Sequence, residues 1–185
     1  MPDAGPGPRN RSSSPAERVE PAREVFAGRF IRVEVFPRPG GDHEVVRHSG
    51  AAAVLAITPE GDALLVRQLR PAIGQTLVEI PAGVLDRPDE DALSCAAREL
   101  LEETGYRHET IEFLGGYFSS AGFTDEYVHL FVATTVAEPE GEPEEGIEVI
   151  RRPLRELVAA ARAGRVRDAK TALALLLADA RGSAR

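Results

Sequence analysis

A chain of 185 residues is long enough for one domain with a proper core, and 43% hydrophobic with 28% charged residues places it among ordinary globular proteins. A net charge of −8 gains nothing from counterion release, which excludes a general nucleic-acid binder and means that an anionic ligand needs a metal or placed arginines to invert the field locally. The single cysteine, Cys95, forbids an intramolecular disulfide, and with no signal-peptide pattern in residues 1–25 and no apolar run of ~20 residues, a cytoplasmic location without a membrane partner is expected.

Residues 1–21 are rich in Pro, Gly, Ser and Arg and lack apolar periodicity, the composition of a disordered tail. In EVFAGRFIRVEVFPR, Phe30, Val33 and Val35 belong to an alternation that predicts one or two strands. PGGD (39–42) is a turn and HEVVRH (43–48) a short strand. GAAAVLAIT (50–58) is apolar almost throughout, which predicts a strand buried on both faces. PEGD (59–62) turns it into the return strand ALLVRQLR (63–70), and TLVEIPAG (76–83) reads as a further strand ended by Pro81 and Gly83.

A helix is expected from about Pro88 to Thr104. Pro88 suits its first turn, and Asp89, Glu90 and Asp91 suit the positive end of its dipole. Leu93, Ala97, Leu100 and Leu101 would form its buried stripe, and Gly105 its stop. TIEFLGGYFSS and YVHLFVATTVA predict strands around the loop AGFTDE (121–126). EPEGEPEEG (138–146) is an acidic loop, IEVIRR (147–152) a last strand, and LRELVAAARAG and AKTALALLLADA two terminal helices parted at Gly164. No internal repeat is visible. Mixed strands with one central helix and terminal helices imply an α+β sandwich.

The central helix carries the chemistry. Glu99, Glu102 and Glu103 stand at i, i+3 and i+4, a spacing that gathers three carboxylates on one helix face. A solvated acidic face is the bland explanation; a hard-cation site is the functional one, since carboxylate oxygens suit Mg²⁺ or Mn²⁺ and no His or Cys stands at zinc-ligand spacing. The frame decides: chance agreement with R-E-L-L-E-E-T-G-Y is on the order of 10⁻⁶ per starting position at average residue frequencies.

Residues 83–106 resemble the Nudix box, G-x₅-E-x₇-R-E-U-x-E-E-x-G-U, through Gly83, Glu90, Arg98, Glu99, Leu100, Glu102, Glu103, Gly105 and Tyr106. Six residues rather than five part Gly83 from Glu90, and Asp89 stands at the unshifted place; the loop before the helix is expected to absorb the extra residue. VRQLRPA, LVEIPAGVLD and SSAGFTDE extend the resemblance, over roughly residues 25–180, to the branch that cleaves ADP-ribose and related nucleoside diphosphate sugars. Where that branch typically carries a proline, this sequence has Ala121, which is expected to loosen the loop.

The resemblance implies a Nudix α/β/α sandwich around a mixed sheet. Residues 22–48 would supply N-terminal strands that pair two copies into a homodimer, and residues 49–181 the Nudix domain. It implies attack of water on a pyrophosphate, releasing AMP or another nucleoside monophosphate and a sugar phosphate, with Mg²⁺ or Mn²⁺ as cofactor and a small-molecule nucleotide as substrate. Glu99 and Glu103 would be the principal metal ligands, Glu102 would share an ion, and the carbonyl of Ala82 would be another ligand. Arg98 would orient the glutamates. From the acidic loop, Glu145 would contact metal and Glu144 or Glu142 would act as base. Arg70, with Arg67 second, would meet the phosphates; Glu79 would bind ribose or adenine polar groups, Glu126 would face the terminal ribose, and Phe123 would stack on a ring. Two alternatives stand beside this one: a Nudix hydrolase of a flavin, coenzyme or damaged nucleotide, and a non-catalytic Nudix-fold binding module, against which the three intact glutamates argue. Cys95 is expected to be a small packing residue.

Overall fold

The computed structural model describes residues 21–182; the tail expected over residues 1–21 lies, apart from Pro21, outside the described residues. Three strands, β1 (Arg23–Ala27), β2 (Ile31–Phe36) and β3 (His43–His48), form an antiparallel sheet of their own. That sheet has little core: Val35 is buried, while Val25, Phe26, Phe30 and Ile31 are exposed.

The larger sheet is built on β4 (Ala51–Ile57), which pairs in parallel with β9 (Tyr127–Thr135) and antiparallel with β5 (Asp62–Arg70). β8 (His108–Phe118) extends it beyond β9, and β10 (Glu148–Pro153) beyond β5. Two short strands, β6 (Gln75–Glu79) on β5 and β7 (Ala82–Val84) on β4, complete it. Among the described residues there are three helices, α1 (Ala92–Thr104), α2 (Leu154–Arg162) and α3 (Ala169–Arg181). None is long and apolar enough to cross a membrane.

The apolar run of β4 is there because helices cover both faces of the sheet. Ala52, Val54 and Ala56 pack toward α1 with Cys95, Ala96 and Leu100, whereas Ala53 and Leu55 pack toward α2 and α3 with Leu154, Val158, Ala174 and Leu175. Alternation along one strand thus divides the core into two layers, an α/β/α sandwich.

The central helix begins later than the sequence predicts. Pro88 lies outside it, Asp89 takes a left-handed φ of 63°, and Asp91 is the N-cap, accepting the Ser94 N–H at 2.7 Å. An Asx cap offers the first turn a better acceptor than Pro88 can, so the chain turns before it coils. The buried face also differs from the expected stripe. Leu93 and Leu101 are exposed, and the inward residues are Cys95, Ala96, Leu100, Glu103 and Thr104. Periodicity counts apolar side chains only, so a helix that turns a glutamate inward is misread by about one position per turn.

At the far end Gly105 holds the acidic loop. Its φ of 76° closes the helix, and its carbonyl accepts the N–H groups of Glu140 and Gly141 at 2.8 and 3.1 Å. A Cβ at Gly105 would lie 2.1 Å from the Gly141 carbonyl oxygen. Gly105→Ala should therefore cost roughly 2 kcal/mol from strain and displacement of that loop, measurable by urea unfolding. An unchanged midpoint would show that the loop is not packed on the helix end.

Candidate active site

Glu103 is the centre of the site. It is 4% exposed, on the sheet-facing side of α1, and its Oε2 accepts the Ala82 N–H at 3.0 Å. Burial, with the nearby charges of Glu99 and Glu144, pushes its carboxyl up to about 7 despite that hydrogen bond. Glu99 lies on Gly83: a Cβ there would fall 1.9 Å from its Oε1, so any side chain at that position would displace the Glu99 carboxylate. Burial also raises the Glu99 carboxyl against the opposing pull of Arg98.

Arg98 organises the rest. Its Nε and Nη2 donate to the two oxygens of Glu90 at 2.7 and 2.9 Å, and its Nη1 reaches Glu99 at 2.5 Å and Glu102 at 2.8 Å. The residue that meets Arg98 is thus Glu90, not Asp89. The left-handed turn at exposed Asp89 absorbs the extra residue. Glu102 also takes a bond from Arg87 at 3.1 Å. Burial pushes Glu102 up, but the hydrogen bonds from Arg98 and Arg87 win and hold it below the usual carboxylate range.

These donors suit a hard divalent ion. They are all oxygen, and two of them are carboxylates raised by burial, a cost that a cation removes. Among the described residues no three acidic, histidine or cysteine side chains already stand at coordinating distance from one point. Glu99 and Glu102 are drawn onto Arg98, while Glu103 is held by the Ala82 N–H.

The acidic loop brings Glu144 to the same cleft, of about 440 Å³, where it joins Arg98, Glu99, Glu102, Arg87, Arg29 and Phe30. Its N–H donates to the Glu102 carbonyl at 2.9 Å. Glu145 and Glu142 are exposed on the loop. Arg70 lies close enough to Glu103 for the two charges to act on each other. Its Nε and Nη2 donate to Glu79 at 2.9 and 2.7 Å, and Glu79 is buried, not solvated. Arg67 does not join them: it pairs across the sheet with Glu148 at 3.0 Å, beside α2.

Glu126 lines a second cavity, of about 280 Å³, with Ser119, Tyr117, Asp168 and Lys170, and accepts the Ser119 hydroxyl at 2.5 Å. Phe123 is 56% exposed at the tip of the same loop. The loop is closed despite Ala121: Ser119 N–H bonds to Glu126 O, Val46 N–H to Phe123 O, and His48 N–H to Asp125 Oδ1. Sequence reasoning missed Lys170 and Asp168. The available signal was compositional, because Lys170 is the only lysine among 22 basic residues.

The raised Glu103 carboxyl fixes a pH dependence. Its folded value of about 7 stands above its ordinary 4.5, so above pH 7 the buried charge opposes folding, by about 3 kcal/mol. The penalty fades as pH falls through 7 toward 4.5. In chelator-treated protein Glu103→Gln should raise Tm at pH 8, change it little at pH 5, and abolish the Tm increase caused by divalent ions. A lower Tm at pH 8 would mean that the charged form stabilises the fold.

Known proteins resemble this chain in sequence and in fold. The model for the NUDIX domain matches residues 46–175. A methanol dehydrogenase activator of Bacillus methanolicus is 37% identical over 168 residues, covering 86% of this chain and 90% of its own. An ADP-ribose pyrophosphatase of Bacillus subtilis (strain 168) shows the same identity and coverage. A GDP-mannose pyrophosphatase of Cronobacter sakazakii is 36% identical over 160 residues, covering 76% of this chain and 83% of its own. Among solved structures, an ADP compounds hydrolase superposes with a TM-score of 0.72 at 20% identity, over 93% of this chain and 98% of that one, which shows a shared fold. With the family model spanning the sheet, α1 and most of α3, the chain belongs to the Nudix family.

Proposed function

We propose that this protein is a Nudix pyrophosphohydrolase that cleaves ADP-ribose or a related nucleoside diphosphate sugar into a nucleoside monophosphate and a sugar phosphate. The observation that carries the reading is the buried Glu103 carboxylate, held by the Ala82 N–H, with Glu99 on Gly83 and the Arg70 guanidinium close enough to feel its charge. Relatives named as ADP-ribose and GDP-mannose pyrophosphatases support the substrate class.

Nudix enzymes generally use divalent metal ions, and Mg²⁺ or Mn²⁺ suits the all-oxygen set here. Glu99, Glu103 and the Ala82 carbonyl would hold the ion, with Glu102 sharing. When bound, it neutralises the pyrophosphate and lowers the pKa of attached water. Arg98 keeps Glu99 and Glu102 aimed and, through Glu90, keeps the helix entry in place. Glu144 is the base: it lies in the carboxylate cleft with no engagement to Arg98. Glu145, one residue on and exposed on the same loop, would be a further ligand of the ion. Arg70 contacts the phosphates through Nη1, the guanidinium nitrogen that Glu79 leaves free. Glu79, Glu126 and Phe123 serve the sugar and base, and Arg67 at most the outer rim.

Incubation with ADP-ribose and Mg²⁺ or Mn²⁺ should release AMP. Glu103→Gln should lower the rate by roughly 10²-fold or more, the scale of removing one electrostatic contact to a reacting centre. If neither ADP-ribose nor GDP-mannose is cleaved with either ion, the reading falls.

The reading includes a homodimer through residues 22–48, supported by the exposed Val25, Phe26, Phe30 and Ile31 on a sheet with almost no core of its own. Light scattering should report twice the chain mass, and Phe26→Glu with Ile31→Glu should halve it; a monomeric wild-type protein removes this part. Cytoplasmic residence belongs to the same reading and is checked by cell fractionation.

A further inference from the structure

Lys170 stands alone in the composition: 22 basic residues, and it is the one lysine. Everywhere else the chain uses arginine. Its place is equally particular. The ammonium bonds Glu79, which is 1% exposed, and reaches Asp168 Oδ1 at 2.9 Å. Asp168 in turn caps α3, accepting the Thr171 N–H at 2.9 Å, and the Thr171 hydroxyl oxygen accepts the Ile80 N–H at 2.9 Å. The start of α3 therefore grips the β6–β7 connection twice, by the side chain of Glu79 and the backbone of Ile80. Two residues further on is Ala82, whose N–H holds Glu103.

We propose that Lys170 is a positioning residue for pyrophosphate recognition, acting through Glu79 to hold the Arg70 guanidinium toward the substrate's phosphates. The inference rests on the pyrophosphohydrolase reading above. Glu79 spends both oxygens on Arg70, and one of them also on Lys170. Burial raises the Glu79 carboxyl, but the Arg70 and Lys170 hydrogen bonds win and keep it charged. Two cations and two carboxylates, Arg70, Lys170, Glu79 and Asp168, balance. Without Lys170, one guanidinium faces the buried charge of Glu79 and the half-buried charge of Asp168, and turns inward from the ligand.

The choice of lysine follows from geometry. Arg70 already occupies both oxygens of Glu79 with its planar fork, and a second fork does not fit the same carboxylate. A compact ammonium makes single bonds to Glu79 and Asp168 from one point. The structural work of capping α3 is done by Asp168 and Thr171, so loss of the ammonium acts on Arg70 rather than on the helix.

The test measures kcat and KM for ADP-ribose, and calorimetric affinity for inorganic pyrophosphate with Mg²⁺. The proteins are wild type, Lys170→Met, Lys170→Cys, Arg70→Gln and the Arg70→Gln/Lys170→Met double variant. Lys170→Met should raise KM and weaken pyrophosphate about tenfold while kcat changes less than about threefold; on the Arg70→Gln background it should add less than about twofold. Treating Lys170→Cys with 2-bromoethylamine rebuilds an ammonium at that position and should restore KM, since Cys95 is buried and spared. An unchanged KM in Lys170→Met, penalties that add on Arg70→Gln, or no recovery after aminoethylation would overturn the proposal. If wild-type protein does not cleave ADP-ribose, the pyrophosphohydrolase reading fails by itself. The pyrophosphate titration then decides the role of Lys170 alone, an undiminished affinity in Lys170→Met refuting it.

Discussion

The structure depends on a carboxylate placed where a hydrophobic side chain would be more comfortable. Glu103 occupies the inward face of α1 next to Leu100 and Thr104, sealed from solvent, with one backbone N–H as its hydrogen-bond partner. That placement dictates the neighbourhood. β7 must come close enough to present the Ala82 N–H, and the bare Cα of Gly83 beside it leaves the space that the Glu99 carboxylate fills. Glu99, one turn back, then has only the Gly83 surface and Arg98 to rest against. Arg98 needs a further carboxylate to hold its own fork, and Glu90 supplies it from outside the helix. Each requirement follows from the one before it, and each is a separate reason why these residue types occur at this spacing.

A second network stands on the other side of the β6–β7 connection. There the buried carboxylate, Glu79, is matched by cations rather than left short of them. The contrast is informative because the two glutamates are comparably sealed from water. The one provided with Arg70 and Lys170 is lowered, and the one provided with a single amide is raised to about 7. β6 and α1 thus carry one buried glutamate matched by cations and one that is not, and only the second has use for a cation from solution.

Much of this was legible in the sequence. GAAAVLAIT gave a strand buried on both faces because its lack of alternation has one common structural cause. Gly105 ended the helix where a left-handed residue was needed, and Glu99 did come near both Glu102 and Glu103, but among the described residues the three carboxylates do not meet at one point, because Glu103 turns inward while Glu102 stays exposed. The helix start was not legible, because a positive φ at Asp89 is a tertiary choice: it gives up a helical turn so that Glu90 meets Arg98. The stripe of Leu93 and Leu101 failed for a related reason, since a pattern of apolar residues cannot register that a glutamate faces inward. The contact of Lys170 with Glu79 spans 91 positions, and no local rule reaches that far.

Helix polarity completes the electrostatic argument. Glu99, Glu102 and Glu103 lie toward the C-terminal end of α1, whose last turn holds no basic residue. Carboxylates at the negative end of a helix dipole are unfavourable for the helix and doubly favourable for a cation, because the unpaired carbonyls add to the same field. The site also lies at the amino ends of the parallel pair β4 and β9, where β7 and Glu126 are found, whereas open parallel sheets bind phosphates at the carboxyl ends of their strands, on helix N-termini. The two facts have one explanation. A fold that brings a helix C-terminus to its ligand cannot hold an anion by backbone amides. On the proposed reading it places a cation between the helix and the phosphates, and in an acidic chain the inward carboxylate of Glu103 would make that cation's site specific.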